Sequence, residues 1–275
     1  MANGQYTALA AFYDRLNGAD YKRYAQALCQ TLARYGVRPG HLVLDLACGT
    51  GQITARLAKA GYDMIGVDLS EEMLAVAMNR PHGEKPVLYL KQDMRAFELY
   101  GTVAATVCCL DSLNYLCTEA DLAACFACVH NYLDPNGIFA FDMNTPYQFE
   151  NGYGKHDYVM EADGVLLAWR SCYHKASRLC DFHLSLFSRT ADGHYTRTEE
   201  LQTERAFSMR TVRTLLTRAG FEILEENGSY QGDALQAEDA KRFFVCRCVK
   251  AGYEQMPLPQ PVESGGLENR KGICK

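Results

Sequence analysis

The feature that most constrains this chain is the segment VLDLACGTGQI, residues 43–53, in which an apolar run leads into a glycine-rich turn. The apolar residues predict a buried strand, and the residues after Gly51 predict a helix. Because Gly49 and Gly51 carry no Cβ, a ligand can approach the backbone N–H groups of this turn closely. A Gly-x-Gly turn occurs in many kinds of protein, so the neighbouring strands must decide what it binds.

Acidic residues follow the next two predicted strands. Asp68 comes directly after the apolar run 64–67, and Asp93 follows the run 87–91 with Met94 beside it. In an open parallel sheet the carboxyl ends of the strands meet at one edge, where ligands bind. We therefore expect Asp68 to accept hydrogen bonds from a ribose diol and Asp93 to receive an adenine amino group. Taken singly, either acid would more often cap a helix or lie in solvent; in this order they favour an adenosyl site.

A dinucleotide-binding dehydrogenase is the obvious alternative. Its fingerprint requires a third glycine three residues after the second, and this chain has Thr54 at that position. Asp45, four residues before Gly49, fits the form acid-x-x-x-Gly-x-Gly instead. An NAD(P)-dependent oxidoreductase is therefore disfavoured.

The rest of the chain alternates predicted strands and helices, which indicates parallel strands with right-handed crossovers. The predicted strands are 41–47, 62–67, 87–91, 103–109, 138–143, 221–226 and 243–249; the predicted helices are 5–35 with a break at Asn17-Gly18, 52–60, 71–78, 118–133 and 208–219. Ser70, Thr118 and Ser208 are expected N-caps, and residues 134–137 (DPNG) an expected turn.

Residues 156–206 interrupt this alternation. Four extended runs, 156–161, 165–174, 178–189 and 194–205, are separated by short turns and predict an antiparallel meander. The predicted organisation is a helical lid (1–38), a core (39–150), a β insertion (151–206) that covers the substrate or forms a dimer, the end of the core (207–252), and a disordered tail (253–275).

Composition limits the classes of partner. The 275 residues are 48% hydrophobic and carry a formal net charge of −5, so nucleic-acid binding is not expected. No apolar run approaches the roughly 18 residues that a membrane-spanning helix needs, so we expect a cytoplasmic protein. The twelve cysteines include the pair Cys125 and Cys128, but no second pair or histidine cluster completes a metal site. We expect free, mostly buried thiols and no bound metal.

With these segments in place, the sequence resembles the class I methyltransferases that use S-adenosylmethionine (SAM). Residues 43–54 resemble their first motif, 66–70 (GVDLS) the second and 92–94 (QDM) the third; residues 109–115 (CLDSLNY) and 133–142 resemble the segments around the fourth and fifth strands. The similarity covers nearly all of residues 5–250. It implies a Rossmann-like α/β fold: a mostly parallel seven-stranded sheet with helices on both faces, plus the antiparallel insertion.

The start of the chain, residues 12–16 (FYDRL) with Tyr21, is similar to amino-sugar N-methyltransferases, in which such aromatic residues lie over SAM and the amine. The resemblance therefore implies that Tyr13 and Tyr21 belong to a lid. The residues it implies for cofactor binding are Tyr13, Tyr21, Asp45, Ala47, Cys48, Gly49, Thr50, Gly51, Asp68, Leu69, Met73, Asp93, Met94, Leu110 and Asp111. Ordinary packing of an N-terminal helix is the alternative for the two tyrosines.

The expected function is methyl transfer from SAM, with S-adenosylhomocysteine (SAH) as product, to a small molecule with a nucleophilic nitrogen or oxygen. No residue identifies itself as a general base, so the catalytic residues are left unassigned. Substrate-side candidates are Tyr13, Tyr115, Asn144 and Trp169, with Tyr147 and Tyr153 as further possibilities and His156, His174 and His183 as weaker ones. A SAM-binding module that transfers no methyl group is the remaining alternative.

Overall fold

The computed structural model describes residues 9–252 and contains two sheets. In chain order its elements are α1 (Tyr13–Leu16), α2 (Tyr21–Arg34), β1 (Leu42–Leu46), α3 (Gln52–Lys59), β2 (Asp63–Asp68), α4 (Glu71–Met78), β3 (Leu88–Lys91), β4 (Val103–Cys108), a 3₁₀ helix (Ser112–Tyr115), α5 (Glu119–Tyr132), β5 (Leu133–Asn144), a π helix (Gln148–Tyr153), β6 (Tyr158–Ala162), β7 (Val165–His174), β8 (Leu179–Arg189), β9 (Tyr195–Arg205), α6 (Met209–Arg218), β10 (Phe221–Asn227) and β11 (Lys241–Cys248).

The larger sheet has seven strands in the order β10-β11-β5-β4-β1-β2-β3. The strands β1 to β5 pair in parallel, whereas β11 is antiparallel to both β5 and β10. This arrangement confirms the predicted mostly parallel seven-stranded sheet. Both β1 and β4 end at the same edge, beside β2, so the glycine turn and the segments after β2 and β4 are brought together there.

Both faces of this sheet are covered, as a parallel sheet requires. Leu44 and Leu46 of β1 lie in one apolar cluster with Phe126 of α5, while Val43 lies in the other with Leu28 of α2. All of these side chains are fully buried. The two apolar layers hold the strand ends in fixed positions, so the residues that follow the strands are well placed to form a site.

The predicted helix starts are confirmed by side-chain caps. Ser70 Oγ accepts a hydrogen bond from Met73 N at 3.1 Å, at the start of α4. Thr118 and Ser208 cap α5 and α6 in the same way, each at 3.0 Å. These bonds satisfy backbone N–H groups that the first turn of a helix leaves without partners.

Two expectations about boundaries need correction. Residues 134–137, expected as a turn before the fifth strand, lie within β5 as an irregular stretch: Val103 pairs with Leu133, Ala105 pairs with Ile138, and Asn136 has φ +64°. The turn-forming residues are accommodated as a bulge. The predicted break at Asn17-Gly18 is confirmed, since α1 ends at Leu16 and α2 begins at Tyr21, but the first helix begins at Tyr13 and not before it in the described residues. Residues 1–8 lie outside the described residues, and so does the tail 253–275, which was predicted to be disordered.

The smaller sheet is the predicted meander, with strands in the order β6-β7-β8-β9, all antiparallel. One face of β8 carries Phe182, Leu184 and Leu186, which are buried against Leu9 and Leu16 of the N-terminal segment. The insertion and the N-terminal segment therefore share one apolar cluster, which packs that segment against the meander.

Candidate functional site

A cavity of about 1450 Å³ opens at the carboxyl edge of the larger sheet and extends to the meander. The predicted residues that line it are Tyr13, Tyr21, Asp45, Ala47, Cys48, Gly49, Thr50, Asp68, Leu69, Met73, Asp93, Met94, Leu110 and Tyr115. Gly51, Asp111, Asn144 and Trp169 are not among its lining residues. The volume exceeds the roughly 300–1,000 Å³ typical of a small-molecule site, so the cavity has room for two ligands side by side.

The glycine turn is held in a left-handed conformation at several positions. Ala47, Gly49 and Gly51 have φ of 57°, 53° and 72°. A Cβ on Gly51 would lie 2.6 Å from Tyr89 Oη and 2.9 Å from Ala77 Cβ, so Gly51 is required by packing. A Cβ on Gly49 would meet nothing within 4 Å, because this residue faces the open cavity. The two glycines thus have different roles: Gly51 allows close packing, and Gly49 leaves space that a ligand would fill.

Asp68 and Asp45 sit behind and beside this turn. Asp68 accepts hydrogen bonds from Gly49 N at 2.8 Å and from Ser70 N at 2.9 Å, so its carboxylate is fixed at the cavity wall. Burial raises the pKa of Asp68, and these N–H groups oppose the rise. Asp45 accepts a hydrogen bond from Thr54 Oγ1 at 2.5 Å. Burial raises the pKa of Asp45 to about 7.

Asp93 lines the cavity beside Met94, at the end of β3, but its carboxylate already has a partner. Arg95 donates to Asp93 through Nη2 at 2.5 Å and through Nε at 3.0 Å, and it also donates to Asp121 at 2.9 Å. The hydrogen bond from Arg95 lowers the pKa of Asp93. The backbone N–H of Arg95 also donates to Asp93 Oδ1 at 2.9 Å, so three N–H groups of Arg95 already use this carboxylate. A carboxylate can accept about four hydrogen bonds, so an adenine amino group would be the fourth donor.

The sequence analysis missed the residue that holds the lid. Asp14 of α1 accepts hydrogen bonds from Thr50 Oγ1 at 2.6 Å and from Gln52 Nε2 at 2.7 Å, and it pairs with Arg80, which also donates to Thr50 O at 2.8 Å. Tyr21 OH donates to the same carboxylate at 3.2 Å. Asp14 thus clamps α1 to the glycine turn. The one sequence feature that could have indicated this role of Asp14 was its position between Tyr13 and Arg15 in the FYDRL segment.

Tyr13 is placed between the glycine turn and the end of β4. Burial raises the pKa of Tyr13 well above its usual value; the charges of Asp111 and Asp14 add to the rise, and that of Lys241 opposes it. Tyr21 lies under Arg56, whose guanidinium carbon is 5.6 Å from the ring centroid. Both tyrosines line the cavity, in accordance with the place expected of a lid.

The turn after β4 is strained and strongly held. Leu110 and Asp111 are consecutive residues in the left-handed region, with φ of 59° and 55°. Asp142 accepts from Leu110 N at 2.7 Å and from Asp111 N at 3.2 Å. Non-glycine residues in this region cost energy and concentrate at functional sites. The turn directs Leu110 into the cavity and Asp111 towards the strands behind it.

Asp111 belongs to a buried polar cluster that we define as Asp111, Asp142, Asn144, Glu204 and Lys241. Lys241 contacts Asp111 and lies 3.0 Å from Asp142. Burial alone would lower the pKa of Lys241, but these two carboxylates outweigh it and raise the pKa. Asn144 donates through Nδ2 to Asp111 at 2.9 Å and to Glu204 at 3.4 Å.

The meander contributes residues that sequence reasoning did not single out. Gln202 of β9 accepts a hydrogen bond from Tyr115 OH at 2.9 Å, and Glu204, two residues on, is only 2% exposed. Burial raises the pKa of Glu204 well above its usual range, and the charge of Asp111 adds to the effect. An alternating strand pattern shows that such residues share a face, but not that the face is turned to Tyr115.

The other substrate-side candidates include residues beside the buried polar cluster and residues farther from it. Tyr153 OH is 3.4 Å from Asn144 Nδ2. Trp169 stacks on Tyr153 with ring centroids 5.7 Å apart, within the cluster shared by lid and meander. Tyr147 precedes the π helix. Of the histidines, His183 lines the cavity, His174 contacts Asp181 at 3.1 Å, and His156 is exposed.

Within residues 9–252 the structure contains no grouping of three or more histidine, cysteine or acidic side chains arranged to hold a metal ion. The cysteines in that part of the chain are free thiols. No helix among the described residues is long and apolar enough to cross a membrane.

Comparison with known proteins agrees with this geometry. Residues 43–137 match the family model described as a methyltransferase domain. A protein of Bacillus subtilis (strain 168) named "Putative methyltransferase YqeM" is 31% identical over 248 residues, which cover 89% of this chain and 98% of the relative. A Streptomyces fradiae protein, dTDP-3-amino-3,6-dideoxy-alpha-D-glucopyranose N,N-dimethyltransferase, is 28% identical over 82% of this chain and 89% of its own length.

A solved structure, that of a S-adenosylmethionine-dependent methyltransferase from Clostridium acetobutylicum ATCC 824, superposes with a TM-score of 0.78 at 27% identity, covering 89% of this chain and 99% of the other. The chain therefore belongs to the family of SAM-dependent methyltransferases. The fold, the glycine turn and the acidic strand ends are those the family resemblance predicted. These similarities give no support to the dehydrogenase alternative.

Proposed function

We propose that this enzyme transfers a methyl group from SAM to a small molecule bound between the glycine turn and the meander. The observation that carries the proposal is the cavity itself, which is lined at one end by Gly49 and Asp68 and at the other by Tyr115 and β9 residues. It is a single cavity with a cofactor end and a second end roofed by the insertion. The relative from Streptomyces fradiae is named for a small-molecule substrate, a nucleotide-linked amino sugar.

At the cofactor end, the residues present suit an adenosyl ligand. The open side of Gly49 admits a ligand against the backbone, and the fixed carboxylate of Asp68 is placed to accept from ribose hydroxyls. Asp93 and Met94 offer an acceptor and an apolar surface for adenine. Leu110 and Tyr13 would then flank the methionine portion.

The chain's contribution to the reaction is positioning. SAM supplies an activated methyl group and a good leaving group. Tyr13 and Tyr21, held by the Asp14 clamp, cover the cavity and exclude water from the acceptor. Alignment of acceptor and methyl group can contribute several kcal/mol, with roughly 7–11 kcal/mol available in ideal intramolecular cases.

The first test is calorimetric titration of the full chain with SAM and with SAH. Both are expected to bind, and Asp68→Asn should weaken each of them, because the ribose loses a charged acceptor. Asp63→Asn is the matched control, because Asp63 lies at the opposite end of β2 and its carboxylate pairs with exposed Lys85 at 3.0 Å. Absence of binding by the wild-type chain would overturn the cofactor assignment.

The second test is a mass-spectrometric screen of amines and hydroxyl compounds with SAM present. A product heavier by one methylene unit, formed in step with SAH, is the expected result. If SAM binds but no product appears over a broad screen, the alternative of a SAM-binding module without transfer is favoured.

The insertion has a second candidate role, in dimer formation. Val159 of β6 is 70% exposed. Sedimentation of the full chain would distinguish a monomer from the homodimer that we keep as a prediction. A cytoplasmic location likewise stays an expectation from the sequence.

A further inference from the structure

The buried polar cluster has an excess of negative and hydrogen-bond-accepting atoms. It contains the carboxyl groups of Asp111, Asp142 and Glu204, and within the described residues the one ammonium that contacts it is that of Lys241. Lys241 is shared between Asp111 and Asp142, and the ion pairs found in residues 9–252 include none to Glu204. Buried acids are ordinarily paired. The cluster is therefore short of positive charge.

Asn144 gives an independent sign that a donor is missing. Its side chain is 1% exposed, and its Nδ2 is directed at Asp111 and Glu204. Its Oδ1 has no hydrogen-bond partner in the described part of the chain. Because Nδ2 faces a carboxylate at 2.9 Å, the orientation of the amide is fixed by its surroundings. A buried acceptor without a partner costs free energy unless a ligand supplies the donor.

The cluster lies one side chain behind the cavity. Tyr115 lines the cavity, and its hydroxyl donates a hydrogen bond to Gln202. The side chain of Tyr115 also forms a hydrogen bond with the carboxyl group of Glu204, and this bond lowers the pKa of Glu204. Asp111 directly follows Leu110, which lines the cavity at the end of β4. The deficit of positive charge therefore lies next to the place proposed for the reacting methyl group.

We propose that Glu204, with Asp111 and Asn144 Oδ1, stabilises positive charge at the transfer site, and that the acceptor is consequently a neutral amine. This inference rests on the proposed function. The nitrogen lone pair forms the new N–C bond while the electron pair of the C–S bond stays on sulfur, and the product leaves as an ammonium with its protons on nitrogen. Positive charge thus moves from sulfur to nitrogen and stays close to the carboxylates throughout the transfer.

A hydroxyl acceptor is disfavoured by the same charges. Methylation of oxygen needs an alkoxide or its equivalent in the transition state, and neighbouring carboxylates disfavour the formation of another negative charge. A fixed field of one sign stabilises only the transition state in which charge of the opposite sign develops. Glu204 does not line the cavity, so it acts as a positioning residue through its charge and through Tyr115 and Asn144.

The inference can be tested without knowing the acceptor, because three ligands differ only in charge at the reacting centre. SAM carries a sulfonium, sinefungin carries an ammonium at the corresponding place, and SAH is neutral. Glu204→Gln keeps the shape and removes the charge. At an effective dielectric constant of about 20, a full charge about 6 Å from a cation changes its affinity by roughly a hundredfold. This value is an upper bound for Glu204→Gln, because deprotonation of the buried Glu204 offsets part of the gain. SAM and sinefungin should therefore lose about ten- to a hundredfold in affinity, whereas SAH should keep its affinity within about twofold.

A pH-dependent readout separates this role from a structural one. Burial raises the pKa of Glu204, so cation binding must displace its proton. Calorimetric titrations in buffers of different ionisation enthalpy measure the number of protons released on binding. The wild type should release more protons with SAM than with SAH. In Glu204→Gln the two ligands should release the same number. The groups that face Glu204 from neighbouring elements are Asp111, Lys241, Tyr115, Cys117, Asn144, Tyr153 and Cys180. Glu204→Asp should restore part of the difference.

Glu161→Gln is the matched control, since Glu161 is an exposed glutamate on β6 of the same sheet. It should leave the ratio of SAM to SAH affinity unchanged. Failure of the wild type to bind either ligand would refute the proposed function. Equal loss of SAM and SAH in a folded Glu204→Gln, or no loss of either, would refute the electrostatic role alone.

Discussion

The Asp14 clamp gives the most specific prediction about cofactor binding. Asp14→Asn keeps the size of the side chain and removes its charge. Thr50 and Gln52 donate to different oxygens of Asp14, so the single amide oxygen of asparagine can keep only one of the two bonds, and that bond loses its charge assistance. The side chains of Asp14 and Arg80 are 23% and 20% exposed, so their ion pair is partly screened and is assigned little weight. Charge-assisted hydrogen bonds are worth about twice neutral ones, which contribute about 0.5–1.5 kcal/mol each.

Loss of one charge-assisted bond costs about 1.5–3 kcal/mol, and loss of charge assistance at the other costs about 0.5–1.5 kcal/mol. The sum of about 2–4.5 kcal/mol corresponds to a factor of about 30–2,000. The clamp holds Tyr13 and Tyr21 over the cavity, so the weaker clamp should raise the dissociation constant of SAH by up to this factor. The change should lie mainly in a faster dissociation rate, as is usual for variants of one site. Stopped-flow fluorescence with competitor chase measures the two rates separately.

Arg15→Gln is the matched control for Asp14→Asn. Arg15 is the next residue of the same helix, but it is directed at exposed Asp163, 3.9 Å away, and not at the glycine turn. It should leave both rates unchanged. If a folded Asp14→Asn variant released SAH at the wild-type rate, the clamp would have no part in holding the lid, and the reasoning from its hydrogen bonds would be wrong.

Two further predictions concern the glycine turn and the carboxyl group beside it. Gly51→Ala should lower the free energy of unfolding by at least about 1–3 kcal/mol, because the new Cβ would lie 2.6 Å from Tyr89 Oη and the residue has φ +72°. Gly49→Ala should cost less stability but abolish SAH binding. Urea denaturation and calorimetry measure the two effects, and the reverse pattern would contradict these roles. The raised pKa of Asp45, about 7 against about 3.9 unfolded, means that its contribution to stability is fully present below about pH 4 and is lost as the pH rises to about 7. Asp45→Asn should therefore remove a loss on the order of 4 kcal/mol over that interval in urea titrations of the ligand-free protein, and parallel pH profiles of the two proteins would contradict the assignment.

Much of the fold could be predicted because it depends on local patterns. The alternation of apolar runs and capped helices placed β1, β2 and the meander within a residue or two of the observed bounds. The carboxyl edge then followed from parallel pairing, which brought Asp68 and Asp93 to one cavity. The least accurate expectation was the turn at 134–137, because pairing with β4 outweighed local turn preference there.

The acceptor side could not be predicted in the same way. Asp14, Glu204 and Lys241 come from a short helix, the inserted sheet and the last strand, and their contacts depend on how these elements pack together. Neither spacing nor periodicity encodes such packing. Trp169 was a candidate because it belongs to the insertion, but its place on the face of the meander that carries Leu184 was set by pairing with β8.

The measurement that tests the central claim most directly is a crystal structure of the full chain with SAH. The account predicts the ribose hydroxyls on the carboxylate of Asp68, the adenine between Asp93 and Met94, and the sulfur directed from Leu110 towards the side of Tyr13 and Tyr115. SAH bound elsewhere, or with its sulfur turned away from Tyr115 and the cluster behind it, would contradict the proposed site and the direction of methyl transfer.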